Sequence, residues 1–151
     1  MMIRALGLAL AMLAQPGAAD TTEAMRTALE LAAKKDWAGA LSVAPSGVGR
    51  DVIEWQRLRA GEGRLGEYED FLHRRPDWPG LPLLREKGEE AVARSTDPAR
   101  VIAWFDAGPP ETGKGAIAYV TALLAAGRAA DAETEAMRAW STLPFAPEEE
   151  Q

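Results

Sequence analysis

Three groups of residues in this chain have types and spacings that could do chemistry. The only histidine, His73, follows Glu69 by four residues. On a helix that spacing puts both on one face, the juxtaposition a general base and its orienting carboxylate need. Glu86, Glu89 and Glu90 fall within about one helical turn, and paired carboxylates are the acid and base of glycoside cleavage. The run Gly108-Pro109-Pro110-Glu111-Thr112-Gly113-Lys114-Gly115 has the glycines and lysine of a phosphate-cradling loop.

Each group fails a further requirement. His73 has Glu67, Asp70, Arg74 and Arg75 around it and no nucleophile in reach, so it reads as part of a solvated face. The three glutamates stand among Arg85, Lys87 and Arg94, which marks a polar helix surface. The glycine run follows no strand and lacks the fixed spacing of a phosphate loop, so it reads as a connection between helices. No three His, Asp or Glu side chains recur at metal-ligand spacing. With zero cysteines, disulfides, thiol catalysis and zinc-thiolate sites are all ruled out. No catalytic, cofactor-binding or metal-ligating residue is assigned, and no cofactor is expected.

The elements around these residues are helical throughout. Met25, Ala28, Leu29 and Ala32 recur at i, i+3, i+4, i+7, and Trp37, Ala40, Leu41 and Ala44 repeat the pattern. Val48, Val52 and Trp55 follow it loosely, as do Leu65, Tyr68 and Leu72. Further stripes are Leu84, Ala91, Val92; Val101, Trp104, Phe105; Ala116, Val120, Leu123, Leu124; and Ala132, Ala136, Ala139, Trp140. Such stripes are the buried faces of amphipathic helices. No β-branched alternation of strand length occurs. Lys34-Lys35-Asp36-Trp37, Ser95-Thr96-Asp97-Pro98 and Glu111-Thr112-Gly113 carry turn and cap residues.

The helices also recur with a period. Gly63-Arg64-Leu65-Gly66-Glu67-Tyr68 and Gly127-Arg128-Ala129-Ala130-Asp131-Ala132 are 64 residues apart, and Trp55 and Tyr119 each precede their glycine by eight. The offset is close to twice the period of about 34 residues of a tetratricopeptide hairpin. The expected fold is all-α: a right-handed superhelical array of antiparallel, tetratricopeptide-like hairpins, each burying its stripe against its neighbours. Trp55 is the expected core residue of its hairpin.

Met1-Met2-Ile3-Arg4 is a short positive start, Ala5 to Ala14 an uncharged Leu/Ala-rich run, and Gln15-Pro16-Gly17-Ala18-Ala19 a breaker with small residues. This is the layout of a secretory signal peptide over residues 1–19, with Gly17 and Ala19 at −3 and −1 of a cut before Asp20. The run falls short of the roughly 20 apolar residues that span a bilayer, and no cysteine follows it to carry a lipid, so no membrane anchor is expected. Cleavage leaves 16 basic against 23 acidic residues, with no basic cluster to meet phosphates, so nucleic acid is a poor partner. Residues 20–146 make one domain large enough to bury a core. Residues 147–151, with Pro147-Glu148-Glu149-Glu150, are an acidic tail or the start of a helix.

One stretch is distinctive. In Arg75-Pro76-Asp77-Trp78-Pro79-Gly80-Leu81-Pro82-Leu83-Leu84, three prolines at three-residue spacing stop a helix and push the preceding residues towards extended backbone. Trp78 is the apolar anchor of the connection, and Pro82 is suited to starting the next helix. Together with Phe71-Leu72, Trp104-Phe105 and Thr112-Gly113-Lys114-Gly115, this wording resembles the N-terminal superhelical region of periplasmic soluble lytic murein transglycosylases. The resemblance runs from about Met25 to Trp140. It implies a periplasmic scaffold of paired helices that works with a separate lysozyme-like domain, the partner that cleaves the peptidoglycan glycan strand and leaves a 1,6-anhydro product. That family's catalytic Glu-Ser pair and Gly-Leu-Met-Gln run are both missing here, so the chain alone is expected to be inactive. The second class of function is a stand-alone periplasmic adaptor whose concave face binds a protein or peptide.

Export generates a direct expectation. Mature protein from the periplasm begins at or near Asp20 by intact-mass analysis, and retention of Met1 would contradict it.

Overall fold

The computed structural model describes residues 17–145. Among them are eight α-helices and no strand: α1 (Ala18–Ala33), α2 (Trp37–Val43), α3 (Val48–Arg59), α4 (Leu65–Arg74), α5 (Leu81–Val92), α6 (Pro98–Trp104), α7 (Gly113–Ala125) and α8 (Ala129–Thr142). A single 3-10 turn, Phe105–Ala107, continues α6. None of these helices is long and apolar enough to cross a membrane. The basic and apolar run before Gln15, and the acidic stretch after Pro147, lie outside the described residues. Of the expected leader, Ala18 and Ala19 open α1, so the helix runs through the position expected to be cut. Alanine is the best helix former and Asp20 adds a carboxylate to the first turn, which together favour helix there.

Local chemistry accounts for the boundaries. Asp36 accepts the Gly39 amide at 2.9 Å and starts α2. Asp97 accepts the amides of Ala99 and Arg100, with Pro98 in the first turn of α6. Each satisfies a donor that the helix itself leaves free. The proline-rich corner is tighter than an extended connection: the Trp78 amide closes a turn onto the Arg75 carbonyl at 3.1 Å. Gly80 then takes φ +73°, a conformation that costs a side chain dearly, and α5 begins one residue before Pro82. Trp78 is half-buried and meets Phe71 edge-on, ring centroids 5.7 Å apart, so its anchoring role holds.

The 64-residue register is visible in the structure. Helices α4 and α8 both start one residue after an arginine, Arg64 and Arg128. Glu67 accepts the Arg64 amide at 2.7 Å, and the matching Asp131 accepts Arg128 Nε at 2.7 Å. The next residues, Tyr68 and Ala132, are both buried, while Trp55 and Tyr119 are both half-buried.

Packing follows a simple order. α1 lies against α2 and α3, α3 against α5, α5 against α7, and α7 against α6 and α8, with α4 on α5. One apolar cluster, Ala28, Ala32, Ala40 and Ile53, joins the first three helices. A larger one, including Leu58, Tyr68, Phe71, Leu84, Val92 and Trp104, fills the middle. Each large side chain buried there contributes about 1.5–3 kcal/mol. At its centre Tyr68 donates to the Leu58 carbonyl at 2.8 Å and meets Trp104 edge-on at 6.3 Å, so the buried hydroxyl keeps a partner.

Several stripes differ in detail from the periodic reading. On α3 the fully buried residues are Ile53 and Leu58; Val48 is exposed and Trp55 only half-buried, beneath the Arg59 guanidinium. Leu29, Leu124, Ala136 and Trp140 face solvent. The three-four spacing places residues on a common face, but which face meets a neighbour depends on the helix that packs there. These burials separate two aromatic truncations. Phe71→Ala should cost about 3–5 kcal/mol, and Trp55→Ala clearly less, read from urea unfolding of the two variants. Equal costs would mean that Trp55 carries as much core as Phe71.

Candidate functional site

Of the residues read as chemically capable, one stands apart in the structure. Glu89 is only 2 % exposed, so it is not on the polar surface the sequence assigns to it. The reason lies far along the chain. Its helix α5 packs on α7, and that contact seals the Glu89 side against the turn before α7. Oε1 accepts the Glu111 amide at 2.8 Å; Oε2 accepts the Thr112 amide at 2.8 Å and the Thr112 hydroxyl at 2.5 Å. Thr112 in turn accepts the Gly115 amide at 3.0 Å, capping α7. Gly115 is required by proximity, since a Cβ there would fall on the Glu89 carboxylate.

The same turn is gripped from the other side. Arg138 of α8 donates to the Pro110 carbonyl at 3.0 Å and is itself held by Glu135 at 2.6 and 2.9 Å. The glycine-rich run is therefore a clamped connection between helices, as its sequence indicates, fixed by α5 and α8 together.

Burial pushes the Glu89 carboxyl above its ordinary range, and the hydrogen bonds from Thr112 and Glu111 only partly offset that. A raised carboxyl pKa in the folded state means that this group's contribution to stability falls as pH rises from the ordinary value of 4.5 through the raised one. A buried glutamate beside a cleft of about 340 Å³ lined by Arg85, Trp104 and Phe105 has the outline of a general acid. Its bonding argues otherwise: both oxygens are committed to the turn, and a general acid must reach the atom it protonates. What the arrangement does chemically is satisfy a turn and a helix end.

The other candidates do not converge. His73 is exposed, and Glu69 is taken by Arg100 of α6, with Nε at 2.9 and 3.1 Å. Glu86 pairs with Lys87 at 2.9 Å, and exposed Glu90 with Lys114 at 2.9 Å and Arg94 at 3.2 Å. Exposed pairs of this kind contribute little, about 0–1 kcal/mol. Among the described residues, no group of three or more His, Asp or Glu could hold a metal ion.

A second polar node was not legible in the sequence. Asp51, buried at the start of α3, accepts Arg74 at 2.9 Å and also Arg75, while Arg74 reaches Glu54 at 2.7 Å. Burial pushes the Asp51 carboxyl up, but the hydrogen bonds and charges of Arg74 and Arg75 outweigh it and hold the group below its ordinary range. This node ties the start of α3 to the end of α4, immediately before the proline-rich corner. Its partners lie 23 and 24 residues away in sequence, beyond the range of any local motif.

Searches of protein-family models, of curated proteins and of solved structures find no significant match to this chain.

The coupling of Glu89 to Gly115 can be measured by a double-mutant cycle. Gly115→Ala in the native background should cost about 1–3 kcal/mol, because the methyl displaces a packed carboxylate. In a Glu89→Ala background the space is free, and the same substitution should cost less than about 0.5 kcal/mol. Additive effects in thermal unfolding would show that the two residues do not meet.

Proposed function

We propose that this chain is the non-catalytic α-superhelical module of a periplasmic soluble lytic murein transglycosylase. In this reading it is a right-handed array of antiparallel, tetratricopeptide-like hairpins. It positions a separate lysozyme-like domain, which supplies the glutamate that cleaves the bond, against a peptidoglycan glycan strand. The observation that carries the proposal is where the most distinctive residues fall. The Trp78 corner turns the chain from α4 into α5, and the Thr112 to Gly115 turn is the point where α5, α7 and α8 are tied together. Residues with that placement hold a scaffold in shape. The run of contacts from α1 to α3, α5 and α7 supports the superhelical part, because in repeat arrays each unit meets mainly its neighbours.

The carboxylates support the non-catalytic part. Glu86 and Glu90 are ion-paired, and Glu89 is saturated by the turn. Glu89 and Glu90 have both oxygens engaged, and Glu86, which lines a surface cleft of about 540 Å³ with Glu90, is paired with Lys87 through one oxygen. The export signal, read from residues 1–19, supplies the periplasmic part.

Incubated with peptidoglycan, the purified chain should release no anhydro-muropeptides by chromatography, beside a catalytically complete homologue as positive control. A lysozyme-like domain joined after Gln151 should release them faster than that domain alone. Release by the isolated chain above a heat-killed control would overturn the scaffold reading, and so would a fused domain no faster than the free one. In the latter case the stand-alone adaptor becomes the better account.

A further inference from the structure

Arg85 is a half-buried cation that the fold leaves without a partner. It stands one helical turn before Glu89 on α5, the spacing at which arginine and glutamate commonly pair. Both Glu89 oxygens are taken by the turn before α7, so that partner is lost. Arg85 forms no hydrogen bond or ion pair with any other described residue. Instead it lines a cleft of about 340 Å³ with apolar walls from Leu81, Trp104, Phe105 and Pro109. That size lies at the small end of ligand sites, which run from about 300 to 1,000 Å³.

Glu111 lines the same cleft and is exposed. Its backbone amide goes to Glu89, while its carboxylate has no partner among the described residues. Two opposite charges thus share one cleft without meeting each other. The neighbouring charges do not fill the gap. Glu69 is held by Arg100, and Glu89 by the turn. Exposed Asp106 lines an adjoining cleft that shares Arg85 and Trp104 with the first. A plain anion would meet Arg85 but also the unmatched carboxylates of Glu111 and Asp106. A plain cation would meet those carboxylates but also Arg85. A ligand carrying both charges escapes both penalties.

We infer that this cleft binds an apolar α-amino acid as its zwitterion. The carboxylate meets the Arg85 guanidinium, the ammonium meets the Glu111 carboxylate, and the side chain lies against Leu81, Trp104 and Phe105. The guanidinium fork matches a carboxylate through two parallel hydrogen bonds, which a half-buried arginine without a partner otherwise lacks. Glu89 takes no part, so the ligand enters without disturbing the turn. The inference does not rest on the scaffold reading, because the ligand is neither the glycan nor its cleaving domain.

The test titrates L-leucine, leucinamide and N-acetyl-leucine into the isotope-labelled protein and follows the amide signal of Gly108, which borders the cleft, by NMR. Leucine should bind with a Kd of about 1 mM or tighter. Leucinamide, which lacks the carboxylate, and N-acetyl-leucine, which lacks the ammonium, should each bind at least about tenfold more weakly. Arg85→Gln should weaken leucine about tenfold and leave leucinamide no weaker than before. Glu111→Gln should weaken leucine similarly and leave N-acetyl-leucine no weaker, since each variant removes only the partner that its probe does not use. Equal binding of the three probes would overturn the inference, because apolar contact alone would then suffice. Leucine affinity unchanged in both variants, or no shift up to about 10 mM leucine, would overturn it as well. Should Arg85→Gln unfold early, Glu111→Gln carries the test, because an exposed position leaves thermal unfolding nearly unchanged.

Discussion

A carboxylate taken out of water must recover inside the protein the hydrogen bonds it gives up, and this requirement shapes the molecule around Glu89. Three donors from one turn, the amides of Glu111 and Thr112 and the Thr112 hydroxyl, converge on it. Removing them would leave a buried charge whose desolvation costs several kcal/mol. The turn is equally dependent, because its amides precede a helix whose first donors have no partner of their own. Neither α5 nor the start of α7 can shift without stranding the other. Gly115 leaves room for the carboxylate, Arg138 holds the Pro110 carbonyl, and α8 is thereby placed as well.

The first half of the molecule uses the same device with opposite electrostatics. Asp51 is buried beside two guanidinium groups that keep it charged, whereas Glu89 is buried among neutral donors and is pushed the other way. The two nodes therefore respond in opposite senses to acid. Asp51 contributes stability above the ordinary carboxylate range and loses it as pH falls through its lowered value. Glu89 contributes most at low pH and less as pH rises through its raised one. Between the nodes, the Trp78 corner and the Tyr68–Trp104 contact carry the apolar part of the joint. Polar ties at the ends of α3 and α7 and aromatic packing between them together set how successive helices lean on one another.

Much of the fold was legible because it is written locally. The absence of strand alternation, the Asp36, Asp97 and Thr112 caps, and the Arg64 and Arg128 register all depend on residues within a few positions of one another. What escaped is what depends on distant contacts. Glu89 looks like its neighbours Glu86 and Glu90 in sequence, with charges on every side. Only the approach of a turn 22 residues later decides that it points inward. Asp51 is hidden for the same reason. The exposed Leu124 and Trp140 belong to stripes as regular as any buried one, so periodicity alone could not tell a covered face from an open one. On α3 the core takes Ile53 and Leu58, with Val52 and Trp55 only half-buried, because that helix has apolar residues on more than one side.

The scaffold reading requires that Glu89 be structural, its oxygens permanently engaged, and this can be observed without any substrate. Amide hydrogen exchange of Glu111 and Thr112, followed by NMR in the folded protein, reports whether those N–H groups stay bonded. The account predicts that both exchange only through opening of the surrounding helices, with protection close to that of the buried amides of α5. Exchange at the rate of an exposed turn would contradict it, because the carboxylate would then be free to meet a ligand.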